Sequence, residues 1–272
     1  MAFLIGCGAF LAGLLGALTG LGGGIIIVPL LSIVFGIDLH YAVGASLVSV
    51  IATSSGAAAA YVREGYTNLR VGMLLEVATT LGALAGAWAA GLVSARFVAV
   101  LFAVVLIFTA LQSLRPRVEH LTDVSDRLAQ RLRLGSTYPT PDGPQRYEVR
   151  NVPLAFGLMW IAGVLSALLG IGSGVVKVIA MDRAMHLPFK VSTTTSNFMI
   201  GVTAAASAGI YLHRGWIDPR IALPVVLGVL GGALTGAKVL THAPVRPLRL
   251  LFTGVVMVLA VEMLYKGLTG GI

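Results

Sequence analysis

The chain has 272 residues, of which 57% are hydrophobic and only 11% are charged. A soluble domain carries about 25% charged residues, so the composition excludes a soluble globular enzyme and a disordered chain. Cys7 is the only cysteine, which excludes an internal disulfide scaffold. The net charge is +8, but seven of the 19 basic residues lie between Arg115 and Arg150. Such clustering is typical of a cytoplasmic loop, so we expect no nucleic-acid partner.

Eight apolar stretches are long enough to cross a bilayer. They cover residues 2–36, 41–62, 71–93, 97–114, 152–181, 190–212, 220–241 and 247–267. The first residues have no basic region and no small-residue cleavage site, so we expect no removable signal peptide. These features predict an all-α polytopic membrane protein that crosses the membrane several times.

The first segment of each half is too long for one straight crossing. About 35 helical residues would span about 52 Å, whereas the hydrocarbon core is about 30 Å thick. Glycines interrupt both segments, at 20–24 and at 170–174. We therefore predict that each first segment is broken at its Gly-rich motif, as a kinked helix or a re-entrant hairpin. Such paired breaks point to a transporter's binding site.

The segment between the halves carries the basic cluster. Leu121, Val124, Leu128 and Leu132 recur at helical spacing among arginines, which predicts a short amphipathic helix on the membrane surface. Residues 138–144 are rich in proline and glycine and predict a turn-rich link. The distribution of Lys and Arg places 115–151 in the cytoplasm whether the halves are parallel or inverted. The length of the first segments favours inverted halves.

An internal repeat organises the whole chain. A shift of 150 residues aligns 16–88 with 166–238 without a gap, and Gly20, Gly22 and Gly24 fall on Gly170, Gly172 and Gly174. We therefore predict two homologous four-segment repeats, at 1–114 and 152–272, joined by a cytoplasmic linker at 115–151.

Ionisable residues inside the apolar segments are functional candidates because each costs several kcal/mol there. Lys177 follows the second glycine break, and its counterpart in the first repeat is Ile27. We expect Lys177 to bind an anion, with a purely structural pairing as the alternative. Glu76 and Lys238 are candidates for coupling. Glu76 would carry a proton, or would instead neutralise a lysine; Lys238 would otherwise reach a nearby interface.

A run of polar residues opens the sixth segment, from Ser192 to Asn197. Its hydroxyls and amide are able to cap a helix, but six consecutive polar residues exceed what capping requires. We therefore expect part of the run to line a binding cavity, whereas Thr53 and Thr203 would simply bond back to their own helices. The predicted substrate-binding residues are Gly22, Gly23, Gly24, Ser46, Ser49, Gly172, Ser173, Gly174, Lys177, Thr194, Thr195, Ser196 and Asn197.

The paired motifs resemble those of the TauE/SafE sulfite exporter family. The first copy runs from Gly20 to Leu30 and is followed by Ala45-Ser-Leu; the second is Gly170–Gly174 followed by the polar run. The resemblance covers nearly the whole chain outside 115–151. It implies a bacterial- or archaeal-type transporter of the inner (plasma) membrane for sulfite, sulfoacetate, taurine-derived products or related organosulfur anions. The second copy departs from the first by having Ser173, Lys177 and Ile179, which makes the two half-sites unequal.

We therefore expect a secondary transporter, an exporter, of a small anion by alternating access between the repeats. A passive anion channel shares the same static features, and a non-transporting membrane scaffold is the alternative from another class. No nucleophile–base pair and no metal-ligand spacing is visible, so we expect neither catalysis nor a metal or other cofactor. The expected partners are the small anion and the lipid bilayer, and a homo-oligomer is compatible with the sequence.

Overall fold

A computed structural model describes residues 2–19, 24–63, 65–114, 126–140, 143–240 and 245–270. Within these ranges the side chains of 17–19, 56–61, 63, 113–114, 237–240 and 245–249 are not described. The predicted site residues Gly22 and Gly23, and the side chain of Lys238, therefore lie outside the described part.

Helices account for nearly all of the described secondary structure. Those of the first half are α1 (Ala2–Thr19), α2 (Gly24–Pro29), α3 (Leu39–Arg63), α4 (Leu69–Ala89) and α5 (Ala95–Leu114). The linker contains α6 (Arg127–Arg131), β1 (Ser136–Thr140) and β2 (Gly143–Tyr147). The second half contains α7 (Val152–Leu169), α8 (Gly174–Ile179), α9 (Phe189–His213), α10 (Pro219–Leu240) and α11 (Val245–Thr269).

The helices of the second half follow the same order as those of the first. Helices α7 to α11 each begin 150 residues after α1 to α5, respectively. A π-helical turn follows α2 at Leu30–Val34, and another follows α8 at Ala180–Ala184. Helix α1 packs on α10 and α4 packs on α7, while α3 packs on α9 and α5 on α11. In each of these four pairs, a helix of the first half packs on a helix of the second. The two halves therefore do not form separate bundles.

Five of the described helices are long and apolar enough to cross a membrane. They are α4, α5, α7, α10 and α11. Shorter apolar stretches lie in α1, in α2 with its π-turn, and in α3. Leucines, valines and aromatic residues that would be buried in a soluble protein are exposed along these helices. The architecture is that of a multi-pass membrane protein.

The second half contains a helical hairpin broken at Gly170–Ser173. Gly170 and Gly172 have φ of 66° and 67°, in the left-handed region that glycine adopts without steric cost. The Ser173 hydroxyl donates to the carbonyl of Ala162, so α8 folds back along α7. At the open end of the hairpin, Asn151 Nδ2 donates to the Ala184 carbonyl at 3.1 Å. Residues 152–184 thus turn back on themselves at the glycine motif.

The first half folds back in the same way. A Cβ atom placed on Gly8 would lie 2.9 Å from Leu30 Cδ2, so the residue that follows α2 packs against the middle of α1. A single straight helix would separate these two positions by about 33 Å.

The linker differs from the sequence prediction in one respect. Beside the predicted turn-rich link, β1 and β2 pair as antiparallel strands, with Pro139 opposite Pro144. The prolines concealed these strands in the sequence because proline is normally kept out of paired strands. The all-α prediction therefore misses a small β-element. Of the predicted amphipathic helix, Leu121 and Val124 lie outside the described residues, and α6 contains only Leu128 of the predicted apolar positions.

The linker is docked on one end of the helices through Asn68, the N-cap of α4. The Asn68 amide donates to the Leu134 carbonyl at 2.9 Å and to the Tyr147 hydroxyl at 2.8 Å. Burial raises the pKa of Tyr147 to about 12, so its hydroxyl stays neutral at physiological pH. The Asn68 N–H donates to Thr195 Oγ1 at 3.0 Å, which joins the start of α4 to α9.

Replacing Asn68 by alanine should loosen this docking. The substitution removes an N-cap and leaves the Leu134 carbonyl without its side-chain donor, together a loss of about 1–3 kcal/mol. Trypsin cleavage at Arg127, Arg131 and Arg133 should therefore be faster in Asn68→Ala than in the unaltered protein. The matched control is Asp218→Ala, because Asp218 accepts from the Arg220 N–H at the start of α10. Equal cleavage in the two variants would contradict the docking role.

Candidate functional site

A buried chain of polar side chains joins three helices. Lys177 on α8 is fully buried, and its Nζ donates to Thr203 Oγ1 on α9 at 2.6 Å. The Thr203 hydroxyl donates to Glu76 Oε1 on α4 at 2.8 Å. Thr80, one turn beyond Glu76, donates to the same carboxylate oxygen at 3.1 Å. We refer to Lys177, Thr203 and Glu76 as the polar trio.

The two charges of the polar trio do not touch. Ion pairs among the described residues join His40 to Asp38 and Arg146 to Glu148, and neither involves Lys177 or Glu76. The Thr203 hydroxyl therefore bridges the ammonium and the carboxylate. Glu76 Oε2 is buried and has no hydrogen-bond partner within the described part of the chain. A buried charge in this setting is stabilised by its opposite charge across a single shared hydroxyl.

Small residues and the hairpin break position the polar trio. Lys177 lies in the first turn after the break, and its backbone N–H donates to the Ser173 carbonyl at 3.1 Å. Gly72, one turn before Glu76, allows α9 to approach, because a Cβ atom there would lie 3.2 Å from Thr195 Cγ2. Glu76 shares the buried face of α4 with Gly72 and Thr79. The Glu76 side chain therefore lies on the inner face of α4, close to the place where α4 and α9 approach each other.

The positions that correspond to the polar trio after a shift of 150 residues carry no charge. They are Ile27 on α2, Thr53 on α3 and Val226 on α10. Ile27 is fully buried, and Thr53 Oγ1 donates to the Ser49 and Val50 carbonyls of its own helix. The fold therefore accommodates an apolar set at this place, and the charges of the polar trio are not required by the architecture.

The polar run lies at the start of α9, and its hydroxyls contact backbone groups of other segments. Thr194 donates to the Tyr66 carbonyl at 3.0 Å, and Thr195 accepts from Asn68. Ser196 Oγ lies 3.3 Å from the Gly174 carbonyl, beside the hairpin break. Asn197 is half-buried, and its amide has no hydrogen bond to another described residue. Thr194 and Thr195 thus hold the α3–α4 connection, while Ser196 and Asn197 lie nearer the break.

Ser46 connects the glycine motifs of the two halves. Its hydroxyl donates to the Gly170 carbonyl at 2.6 Å and lies 3.5 Å from the Gly24 carbonyl. A Cβ atom on Gly24 would lie 3.1 Å from the Gly170 carbonyl oxygen, so the two breaks are in direct contact. Ser49 donates to the Ser46 carbonyl at 2.7 Å, within its own helix. Ser46 therefore bridges the halves at their glycine motifs.

Sequence reasoning did not select Thr203 or Thr80. Thr203 was expected to bond only to its own helix, and it does lie 2.9 Å from the Met199 carbonyl. Its contacts with Lys177 and Glu76 come from helices remote in sequence. The available signal was its position two turns after Ser196, on the same face of α9.

A pocket of about 380 Å³ lies away from the polar trio, at the linker. It is lined by Gly65 and by residues of the β-hairpin, including Tyr138 and Pro144. The lining residues that the structure describes carry no charge.

Comparisons with known proteins agree with the membrane architecture. The family model of the sulfite exporter TauE/SafE matches residues 5–263. The chain is 24% identical to the probable membrane transporter protein YunE of Bacillus subtilis (strain 168), over 95% of each chain. It is 28% identical to the probable membrane transporter protein YdhB of the same organism, over 84% of this chain and 86% of that protein.

A third relative comes from another organism. The chain is 25% identical to a probable membrane transporter protein of Xylella fastidiosa (strain 9a5c), over 96% of this chain and 94% of that protein. No solved structure matches the chain. With a family match that spans nearly the whole length and relatives named as membrane transporters, the chain belongs to the sulfite exporter TauE/SafE family.

Proposed function

We propose that this protein is a secondary transporter, working as an exporter, of a small anion such as sulfite or an organosulfur or sulfonate anion. The proposal rests on the environment of Lys177, a fully buried cation. The opposite charge, on Glu76, is connected to it only through the Thr203 hydroxyl. An ammonium in this position attracts an anion that can approach it more closely than Glu76 does. The name of the family motivates the choice of sulfur oxyanions.

The anion would bind beside Lys177, next to the hairpin break. Ser173 and Gly174 begin the short helix that carries Lys177, and Ser196 lies against the same helix. Asn197 follows Ser196 and keeps an amide that is not engaged with another described side chain. Ser46 holds the opposing break of the first half against Gly170. These groups would supply hydrogen-bond donors to an oxyanion once the helices separate enough to admit it.

Two inverted structural repeats would provide alternating access. The proposal is supported by the common start points of the helices and by the hairpin in each half. A hairpin returns the chain to the side of the membrane on which it began. Three helices then cross the membrane in each half, α3 to α5 and α9 to α11. Because three is an odd number, the second half would begin on the side opposite to the first. The contact between Asn68 and Thr195 is consistent with this arrangement, because it places the starts of α4 and α9 on one side. A parallel arrangement would put them on opposite sides.

The linker would lie in the cytoplasm of a cell whose inner membrane contains the protein. Seven basic residues between Arg115 and Arg150 support this orientation. The start of α4 contacts the linker through Leu134 and Tyr147, so the starts of α4 and α9 would face the cytoplasm.

Flux into proteoliposomes tests the proposed function. Vesicles containing the purified protein would be given radiolabelled sulfite, with sulfate, thiosulfate, sulfoacetate, taurine, acetate and phosphate as competitors. We expect uptake that is accelerated by unlabelled sulfite inside the vesicles, because a carrier exchanges substrate across the membrane. Selective inhibition by one sulfur anion would define the substrate. Uptake without such acceleration would indicate a channel, and equal fluxes in protein-free vesicles would contradict transport of these anions.

A further inference from the structure

We propose that Thr203 is the positioning residue through which anion binding at Lys177 makes Glu76 take up one proton. The inference rests on the proposed function and adds to it a fixed coupling of one proton to each bound anion. In this role the Thr203 hydroxyl links the charge of Lys177 to the protonation of Glu76, in addition to its bond to the Met199 carbonyl of its own helix.

The hydroxyl of Thr203 has one proton and two acceptors within reach. Glu76 Oε1 lies at 2.8 Å and the Met199 carbonyl lies at 2.9 Å. Lys177 Nζ, at 2.6 Å, occupies a lone pair of the same oxygen. While Lys177 donates to this lone pair, the Thr203 hydroxyl donates to the Glu76 carboxylate. The three side chains then form a continuous chain of hydrogen bonds. If the ammonium turns toward an anion, the hydroxyl is free to donate to Met199 instead.

Charge balance then determines the state of Glu76. With Lys177 and Glu76 both ionised, the polar trio is neutral overall. An anion bound to Lys177 would leave the buried carboxylate without a compensating charge, which is strongly unfavourable in a low dielectric. Uptake of a proton restores neutrality, and Glu76 Oε2 is a buried oxygen with no partner within the described part of the chain. The proton comes from the buffered aqueous phase, where the buffer acid loses it when the anion enters, and it returns to that phase when the anion leaves.

Among the described residues, Lys177 on α8 is the ionisable group that reaches Glu76, through Thr203 of α9. Helix α7 contains no titratable side chain. Helix α9 presents Thr203 to Glu76, and its titratable residues Lys190, Tyr211 and His213 lie two or more turns from Thr203. On α4 itself, Arg70 is nearly two turns from Glu76 and donates to the Arg133 carbonyl of the linker.

The positions related to the polar trio by the shift of 150 residues offer an internal comparison. Thr53 occupies the position equivalent to Thr203, but Ile27 and Val226 replace the two charged residues. Its hydroxyl donates to its own helix, at 3.1 and 3.2 Å. The same residue type at the same fold position therefore has no charges to connect, which makes Thr53→Val the matched control for Thr203→Val.

Proton uptake on sulfite binding tests the inference. Sulfite would be titrated calorimetrically into the detergent-purified protein in two buffers with different ionisation enthalpies, which gives the number of protons taken up. Glu76→Gln keeps a neutral side chain at this place and serves to subtract the proton exchange of sulfite itself. We expect the unaltered protein to take up about one proton more than Glu76→Gln for each sulfite bound.

The variants of Thr203 separate coupling from folding. Thr203→Val should bind sulfite with the same proton number as Glu76→Gln, because a Glu76 carboxylate without the Thr203 donor would already be protonated before sulfite binds. Thr203→Ser and Thr53→Val should retain the uptake of the unaltered protein. Binding without extra proton uptake in the unaltered protein would overturn this inference and leave the proposed function intact. Full uptake in Thr203→Val, or an equal loss in Thr53→Val, would likewise overturn it. Absence of sulfite binding in the unaltered protein would overturn the inference together with the choice of sulfite.

Discussion

Lys177→Ile alone is expected to destabilise the protein by about 3–5 kcal/mol, because it leaves Glu76 as an uncompensated buried carboxylate. The double variant Lys177→Ile/Glu76→Val should regain the stability of the unaltered protein, since replacing a whole buried ion set by apolar residues is often neutral or stabilising. Thermal unfolding of the purified proteins in one detergent would measure both changes.

The double variant is a copy of an arrangement that the fold already contains. Isoleucine and valine stand at the equivalent positions, Ile27 in the first half and Val226 in the second. We therefore expect the double variant to fold but to lose sulfite flux, as the single variant does. A double variant that remains as unstable as Lys177→Ile would contradict the compensating role of Glu76. Recovery of flux together with stability would show that Lys177 does not bind the anion.

Gly163→Ala is expected to produce the second large effect, through the α4–α7 contact. A Cβ atom on Gly163 would overlap the carbonyl of Thr79 and lie 2.9 Å from the Ala83 nitrogen. Backbone atoms of a packed helix cannot rotate away, so the helices must separate, at a cost of about 1–3 kcal/mol or more. The midpoint of thermal unfolding should fall accordingly. Flux should also decrease, since Thr79 is the third residue after Glu76 on the same helix.

Gly157→Ala is the matched control for this effect. Gly157 lies on the same helix, and a Cβ atom there has no neighbour within 4 Å. Alanine has a higher helix propensity than glycine by about 1 kcal/mol, so this variant should be neutral or slightly more stable. If Gly163→Ala melts at the same temperature as Gly157→Ala, the close approach of α4 and α7 does not limit stability.

The sequence predicted the parts of the fold and site that depend on composition and local pattern. Lys177 and Glu76 stood out because ionisable residues are expensive inside apolar segments. The break at Gly170–Ser173 followed from the length of the segment and its glycines. Thr203 could not be selected in the same way, because a threonine that bonds back to its own helix is ordinary in membrane helices.

Other features depended on contacts between distant segments. The β-hairpin was concealed by Pro139 and Pro144, which pair across the two strands. Asn68 was overlooked because its amide partners lie in the linker, more than sixty residues later in the chain. The polar run was selected because it is longer than capping requires; in the structure, Thr194 and Thr195 contact the α3–α4 connection. Local sequence reports the type of residue, whereas tertiary packing decides its partner.

Anion binding to the unaltered protein and to Lys177→Ile/Glu76→Val tests the central claim most directly. The midpoint of thermal unfolding would be measured at matched ionic strength and pH, with sulfite, thiosulfate, sulfoacetate, sulfate, acetate or phosphate. A ligand that binds only the folded state stabilises it, so a sulfur anion should raise the midpoint of the unaltered protein selectively. The double variant, which we expect to be equally stable, should show no such shift. Equal shifts in the two proteins would contradict anion binding at Lys177.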